Sequence, residues 1–416
     1  MLTLSIAIAI AAAALASAPM PPVTATLPAE FGPLPFAAWA APKMTYVRHQ
    51  AEPKAELAGS LRRGDAVRVT GVVAAADGSP EWAQLDGLGA VLLSALRPLV
   101  DRPLEAKTRA AEAQFVYARV TVAQAREYAA PSLSAKRLRT QAARRLLAFV
   151  PDSKLQAQGW LWRAGGGYLR LADLELLSAS SFAGVRDPQL PLAFVRRRTR
   201  LRVALAPKLA PPVYVQRYQT LQVLREQGDF IWVPGGVLPR SRVRVAYPTP
   251  RPKTIPAGAK WMHVDLAEQV VVAHLGDQAV LATLMSSGRS PRQTTKGVFR
   301  IYAKTAHSTM RGAGAKGYVA EEVPWVMHFF EGQAMHGAYW HDQFGIPKSH
   351  GCLNLAPADA SWLFAWIPPD LPAGWHTRLL GKGETAGYLE IDSASPAQRR
   401  KRAARPAKPP GVQPRK

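Results

Sequence analysis

Thirty-six prolines punctuate the 416-residue chain, and many of them gather in runs at residues 18–35, 206–212 and 248–256. Proline locks φ and brings no backbone N–H, so such a run neither continues a helix nor sits inside a central strand. The runs therefore divide the chain into shorter lengths that fold around separate cores. A length of 416 residues fits three or four domains, and an apolar content of 48% suffices for several small cores. The single cysteine, Cys352, excludes an intramolecular disulfide.

Between the proline runs the pattern predicts a mainly β protein. Residues 61–69 alternate polar and apolar around a turn at Gly64, and residues 82–85 (Trp-Ala-Gln-Leu) follow. Residues 145–150 and 160–162 repeat that layout, and the closing segments 89–96 and 167–174 also correspond. The two units, 44–100 and 113–178, resemble bacterial SH3-like domains, which implies small barrels of short strands. A third, divergent β module is expected at 190–247, where residues 218–224 and 230–233 end in Pro234-Gly235-Gly236. Such modules recognise peptidoglycan, or serve as spacers or a lid over a neighbouring domain; the sequence leaves both readings open.

Cys352 lies in Ser349-His350-Gly351-Cys352-Leu353-Asn354, downstream of a second His-Gly pair, His336-Gly337. With a free pKa of about 8.5, a cysteine is only roughly 3% thiolate at neutral pH. A nearby imidazole can take its proton, and a helix N-terminus can stabilise the anion. Residues 356–366 predict such a helix just after the thiol, with Pro357 in its first turn, Asp359 at its positive end, and Trp362, Leu363 and Trp366 as an apolar stripe. Gly351 lets backbone approach a substrate carbonyl, so that amides there can donate to an oxyanion. A lone cysteine is otherwise most often a small core residue.

The pattern from His336-Gly337 to Ser349–Asn354 resembles the signature of bacterial L,D-transpeptidases of the YkuD type. The resemblance extends over residues 258–382: residues 260–288 match the two opening strands of that catalytic domain, and residues 295–301 match its "Thr-Pro-x-Gly-x-Phe" strand, with Thr295-Lys296 departing at the strand entry. It implies a mixed β-sandwich with a short helix after the nucleophile. It also implies that Cys352 is the nucleophile and that His336, oriented by the carbonyl of Gly337, is the general base and acid. Residue chemistry alone does not choose between His336 and His350; the resemblance favours His336. Ser349 and His350 would shape the pocket wall, Gly351 and Cys352 would supply oxyanion amides, and Trp340, Asn354 and the lid residue Tyr318 would meet substrate. No metal or other cofactor is implied. His341-Asp342 with His350 lacks the tight spacing of a zinc site, and His263 and His328 read as outward or packed rings in strands.

The ends bear on compartment and partners. Residues 1–18 read as a secretory signal, with an apolar run at 2–15 and a small-residue cleavage site, although Lys and Arg are missing from its start. The run is short for a transmembrane helix, and no later segment resembles one. A Pro-rich linker is expected at 19–43. The tail, 392–416, carries eight basic residues and no acid from Arg399 onward, and reads as disordered. The net charge is +24, and Arg196-Arg197-Arg198 adds to it outside the tail. For an exported protein in the periplasm or cell wall, the matching partners are anionic envelope polymers and peptidoglycan stem peptides; export argues against nucleic acid. The expected activity is a cell-wall transpeptidase. A carboxypeptidase, an NlpC-type endopeptidase and a non-catalytic wall-binding protein are the alternatives. Chain order disfavours the endopeptidase, because its cysteine precedes its histidine by a long interval.

Overall fold

A computed structural model describes residues 27–86, 88–99, 115–202, 212–312 and 317–393. The expected signal segment and nearly all of the basic tail lie outside these residues. The described chain is mainly β, with short helices only at Ser153–Ala157 and Pro357–Trp366 and a few single 3-10 turns. No described helix is long and apolar enough to cross a membrane.

The two N-terminal repeats share one topology. In the first, the strands pair in the order Leu96–Pro98, Phe36–Ala40, Ala66–Ala74, Pro80–Leu85, Gly89–Leu92, Met44–Arg48, Leu57–Arg62. In the second the order is Leu174–Leu176, Val116–Val120, Leu146–Val150, Trp160–Arg163, Tyr168–Arg170, Gln124–Tyr128, Arg137–Ala142. The opening strands match at an offset of 80 residues (36–40 against 116–120, 44–48 against 124–128, 57–62 against 137–142). Alternation explains the cores: Val67 and Val69 point inward in the first, Leu147 and Phe149 in the second. Each is an open run of strands rather than the closed barrel that the resemblance implies. In the first, the terminal strand Leu57–Arg62 pairs onward with Thr377–Leu379 far along the chain, so its edge is covered by another unit instead of by closure. Strand Phe36–Ala40 also extends this unit into the stretch expected to be linker.

The third β region places Leu192–Val195 between Thr220–Gln222 and Val243–Ala246, beside a small sheet of Arg225–Gln227, Phe230–Val233 and Gly236–Pro239. Ile231, Val233, Leu238, Val243 and Val245 form its core.

The C-terminal unit opens with three strands, Lys260–Asp265, Val270–Leu275 and Gln278–Ser286, where two were expected. Tyr388–Asp392 returns to lie parallel to the first of them and then pairs with Gly297–Arg300, the strand expected at 295–301. A second set, Ala303–Arg311, Val319–Phe330, Gln333–Gly337 and Leu353–Leu355, joins the first where Met285 meets Leu355. Met262, Val264, Val271 and Ala273 from one set share a core with Met327, Phe329, Met335, Leu353 and Leu355 from the other, and Leu363 of the helix packs into it. This is the expected mixed β-sandwich with a helix after Leu355.

Candidate active site

The site is built on one parallel strand pair. Gln333–Gly337 and Leu353–Leu355 run side by side with His336 opposite Asn354. Side chains alternate along a strand, so Met335, Leu353 and Leu355 go to the core while His336 and Asn354 face the other way. Cys352, two residues before Asn354, joins them. The three line one cavity of about 210 Å3 with Trp340, Ser349, His350, Tyr318, Lys348, Met310 and Leu146. The residues expected to act on or meet substrate, other than the two glycines, therefore all line this cavity.

His336 is 1% exposed, and its Nδ1 lies 3.2 Å from the Gly337 carbonyl. That oxygen can only accept, so Nδ1 carries the proton and Nε2 is free to accept one. Burial, only partly offset by the Gly337 carbonyl, lowers the His336 pKa to about 4 and keeps the ring neutral at neutral pH. Trp340 flanks the ring at 5.7 Å.

The thiol departs from the sequence expectation. Burial pushes the Cys352 pKa above its ordinary value, and the amide of Ala334 opposes that only in part. The helix that follows the thiol begins at Pro357. The first turn of Pro357–Trp366 holds Asp359, whose carboxylate accepts from the Gly184 amide at 2.9 Å and the Thr283 hydroxyl at 2.5 Å. Cys352 Sγ instead lies 3.9 Å from the Gly332 carbonyl. Burial thus disfavours the thiolate at Cys352 and holds the His336 ring neutral in the same cavity.

The loop ahead of the thiol is tied by its own polar groups. Ser349 Oγ accepts from the Gly351 amide at 3.1 Å and donates to the Cys352 carbonyl. The Gly351 amide, expected as an oxyanion donor, is thus already engaged. Gly351 has a φ of +121°, where side chains are strained, and its carbonyl accepts from Thr294 Oγ1 at 2.8 Å. His350 is exposed and stacks on Tyr318 at 5.1 Å. Burial and then Arg292 and Arg289 lower its pKa. Burial, followed by Cys352, raises that of Tyr318.

Three lining residues escaped the sequence reading: Leu146, Met310 and Lys348. No local signal marks them, because Leu146 comes from the second repeat, whose Leu146 pairs with Ala320 of Val319–Phe330. His341, which the sequence offers only as a metal ligand, places its Nε2 3.1 Å from the Asn354 carboxamide. Among the described residues no group of three or more His, Cys, Asp or Glu side chains is arranged to hold a metal ion. His263 is a packed ring, 3.1 Å from Thr249 Oγ1 and 3.3 Å from Asp392.

The family model of the YkuD L,D-transpeptidase catalytic domain matches residues 259–376. No curated protein sequence matches the chain. Similar solved structures include the L,D-transpeptidase (Yku) from Stackebrandtia nassauensis, at 20% identity over 33% of this chain and 57% of that one, with a TM-score of 0.23. They also include the catalytic domain of the E. faecium L,D-transpeptidase, at 22% identity over 32% of this chain and 98% of that one, with a TM-score of 0.26. A third is L,D-transpeptidase 3 from Mycobacterium tuberculosis, at 15% identity over 39% of this chain and 77% of that one, with a TM-score of 0.27. The match thus spans 57% of the Stackebrandtia protein's length. Residues 259–376 of this chain belong to the YkuD family as an L,D-transpeptidase catalytic domain.

Proposed function

We propose that the protein is an exported peptidoglycan L,D-transpeptidase that works through an acyl-enzyme on Cys352. The observation that carries this is the strand register that brings Cys352 and a neutral, Nδ1-tethered His336 into one cavity. As Sγ attacks the carbonyl of the third residue of a stem tetrapeptide, its proton passes to His336 Nε2. The tetrahedral oxyanion then collapses, the bond to the terminal D-alanine breaks, and His336 returns the proton to the departing amine. A thioester remains. An acceptor amine attacks it, loses a proton to His336, and displaces the thiolate, which is reprotonated. A thiol and hydrogen-bond donors carry every step, so the scheme uses no cofactor. With Gly351 engaged by Ser349, the Cys352 amide is the backbone donor in this scheme.

The acceptor is a diaminopimelate side chain, a D-amino acid or a protein lysine; water would make the enzyme a carboxypeptidase. The N-terminal repeats are SH3-like modules in this reading, and the second also walls the pocket through Leu146. The modules hold murein near the pocket, and the basic tail contacts anionic envelope polymers.

The test is mass spectrometry of purified muropeptides incubated with the protein and with Cys352→Ala. Dimers joined between third residues, absent with the variant, are the expected result. Tripeptides without dimers would indicate the carboxypeptidase. No change in either sample, with the thiol confirmed reduced, would overturn the proposal.

A further inference from the structure

We propose that His341 is a positioning residue: it holds the Asn354 carboxamide with its NH2 group facing the cavity, as a hydrogen-bond donor to an oxygen of the acyl donor. The inference rests on the transpeptidase reading of the cavity for the identity of that oxygen, but its structural basis is separate.

Nδ1 of His341 accepts from the Gln343 backbone N–H at 3.2 Å. Burial, and then the positive charge of Lys348, lower the pKa of the ring to about 4, so it is neutral at neutral pH. A neutral imidazole has one N–H. Because Nδ1 is an acceptor, the proton sits on Nε2, which must donate. Its partner at 3.1 Å is the Asn354 carboxamide. Only the carboxamide oxygen can receive that proton, so Oδ1 faces His341 and Nδ2 turns to the other side.

The opposite orientation fails twice. With Nδ2 on the ring, His341 would accept at both nitrogens, which describes an imidazolate. Oδ1 would then be buried without any hydrogen-bond partner. Turning the amide removes the first problem and changes the second: the buried unpartnered position becomes an N–H donor group, which an oxygen of the bound substrate would satisfy. That position belongs to a side chain lining the same cavity as Cys352 and His336, on the strand face that carries His336.

The local chemistry makes such a donor useful. Ser349 Oγ takes the Gly351 amide, so the nucleophile loop offers one fewer backbone donor to a developing oxyanion. Asn354 is 3% exposed, and an N–H held in so dry a place needs no reorganisation when the oxygen becomes charged. His341 is itself held from both sides, by the Gln343 amide and by Phe344, whose ring centre lies 5.0 Å away.

Two readouts test this on the full chain. Long-range 1H–15N correlation spectra of 15N-histidine-labelled protein report each ring's tautomer, with His341 identified by its loss in His341→Phe. The Nε2–H form is expected; an Nδ1–H form or a charged ring at pH 7 would overturn the proposal whatever the enzyme does. For the second, acylation rates of Cys352 by a stem tetrapeptide and by a carbapenem are compared in the parent, His341→Phe, Asn354→Leu and the double variant. Losing an oxyanion donor costs about 100- to 1,000-fold in rate. We expect His341→Phe to lose about tenfold or more in kcat with little change in KM, and the double variant to be no worse than Asn354→Leu. A lower Tm with kcat unchanged would mean that His341 only packs. If the parent acylates with neither probe, the transpeptidase reading falls, and the tautomer still decides the role of His341.

Discussion

The two N-terminal repeats are one scaffold joined to the catalytic domain by opposite chemistries. In the first, the equivalent positions Val47, Gly59 and Leu61 present a gap lined by apolar atoms, and Trp375 of the catalytic domain fills it. A Cβ at Gly59 would lie 2.1 Å from the Thr377 carbonyl and 2.9 Å from the Trp375 ring, so only glycine permits this approach. In the second, the same positions are Glu127, Arg139 and Gln141. Glu127 is fully buried and accepts from Arg139 at 2.8 Å and Gln141 at 2.6 Å, while Arg163 at 3.5 Å carries the network on to Glu321 of the catalytic domain. Tyr117 adds a ring stacked on Tyr339 at 3.6 Å. The first junction leans on a shape, with the partly exposed Arg62–Glu322 ion pair at 2.8 Å beside it; the second leans on charges that are buried together. The difference teaches that a shared topology does not dictate how a module docks. Three side chains on one pair of adjacent strands do.

Trp375→Ala should have the largest effect. It empties the core of the first repeat and should cost about 3–5 kcal/mol, read as a fall in Tm. Carbapenem acylation of Cys352 below the transition should persist, because Trp375 is not among the residues lining the cavity. Arg163→Met comes next. It leaves Glu321 and Glu127 without a shared cation and should cost about 3–5 kcal/mol. The sharper comparison is Arg163→Met with Glu321→Leu, which should recover most of that loss because no unpaired charge remains at their contact. A double variant no more stable than Arg163→Met alone would break the contrast.

Acid should distinguish the junctions in the opposite sense. Burial, then Arg62 and His307, lowers the His376 pKa to about 3; burial lowers that of His307 to about 4 against the opposing pull of Glu322. Both rings flank the first junction, where the His376 amide donates to Ser60 and Arg62 donates to the His307 carbonyl. A depressed pKa means that the unfolded chain binds more protons below about pH 6.5. The stabilisation is therefore complete above that pH and is lost as pH falls toward 4, by on the order of 2 kcal/mol per ring at pH 5. Hydrogen exchange should accelerate in 57–62 before 137–142 as pH drops from 7 to 5. Equal acceleration would remove the distinction.

The smallest expected effect is at the catalytic cavity. Leu146→Met conserves volume and should cost less than about 1.5 kcal/mol. It changes a cavity wall, so KM for the stem peptide should shift while Tm barely moves; an unchanged KM would mean that the second repeat merely docks beside the site.

Much of the site was legible because it is local. Six consecutive residues, Ser349 to Asn354, and a His-Gly pair shortly before them supply most of the candidate site, and the strand register that unites them spans only the segment 333–355. The repeat was legible for a similar reason, since strand alternation and turn spacing recur within each unit. Hydrogen-bond allocation was not. Nothing in the sequence says that Ser349 Oγ captures the Gly351 amide, or that burial raises the Cys352 thiol. The covering of the first repeat's edge was equally hidden, because the partner of strand Leu57–Arg62 lies more than 300 residues away, at Thr377–Leu379.

By itself, then, the sequence determined the periodic and the contiguous: mainly β structure, two related units, a lone thiol with histidines close to it in the chain, and a helix just after it. These follow from rules that act between neighbours along the chain. Only the tertiary structure decided which edges pair across units, that Leu146 reaches the cavity, that one repeat is held by Trp375 and the other by Glu321, and which amides stay free for an oxyanion. Those outcomes depend on which buried groups meet, and burial is a property of the whole fold rather than of any one segment.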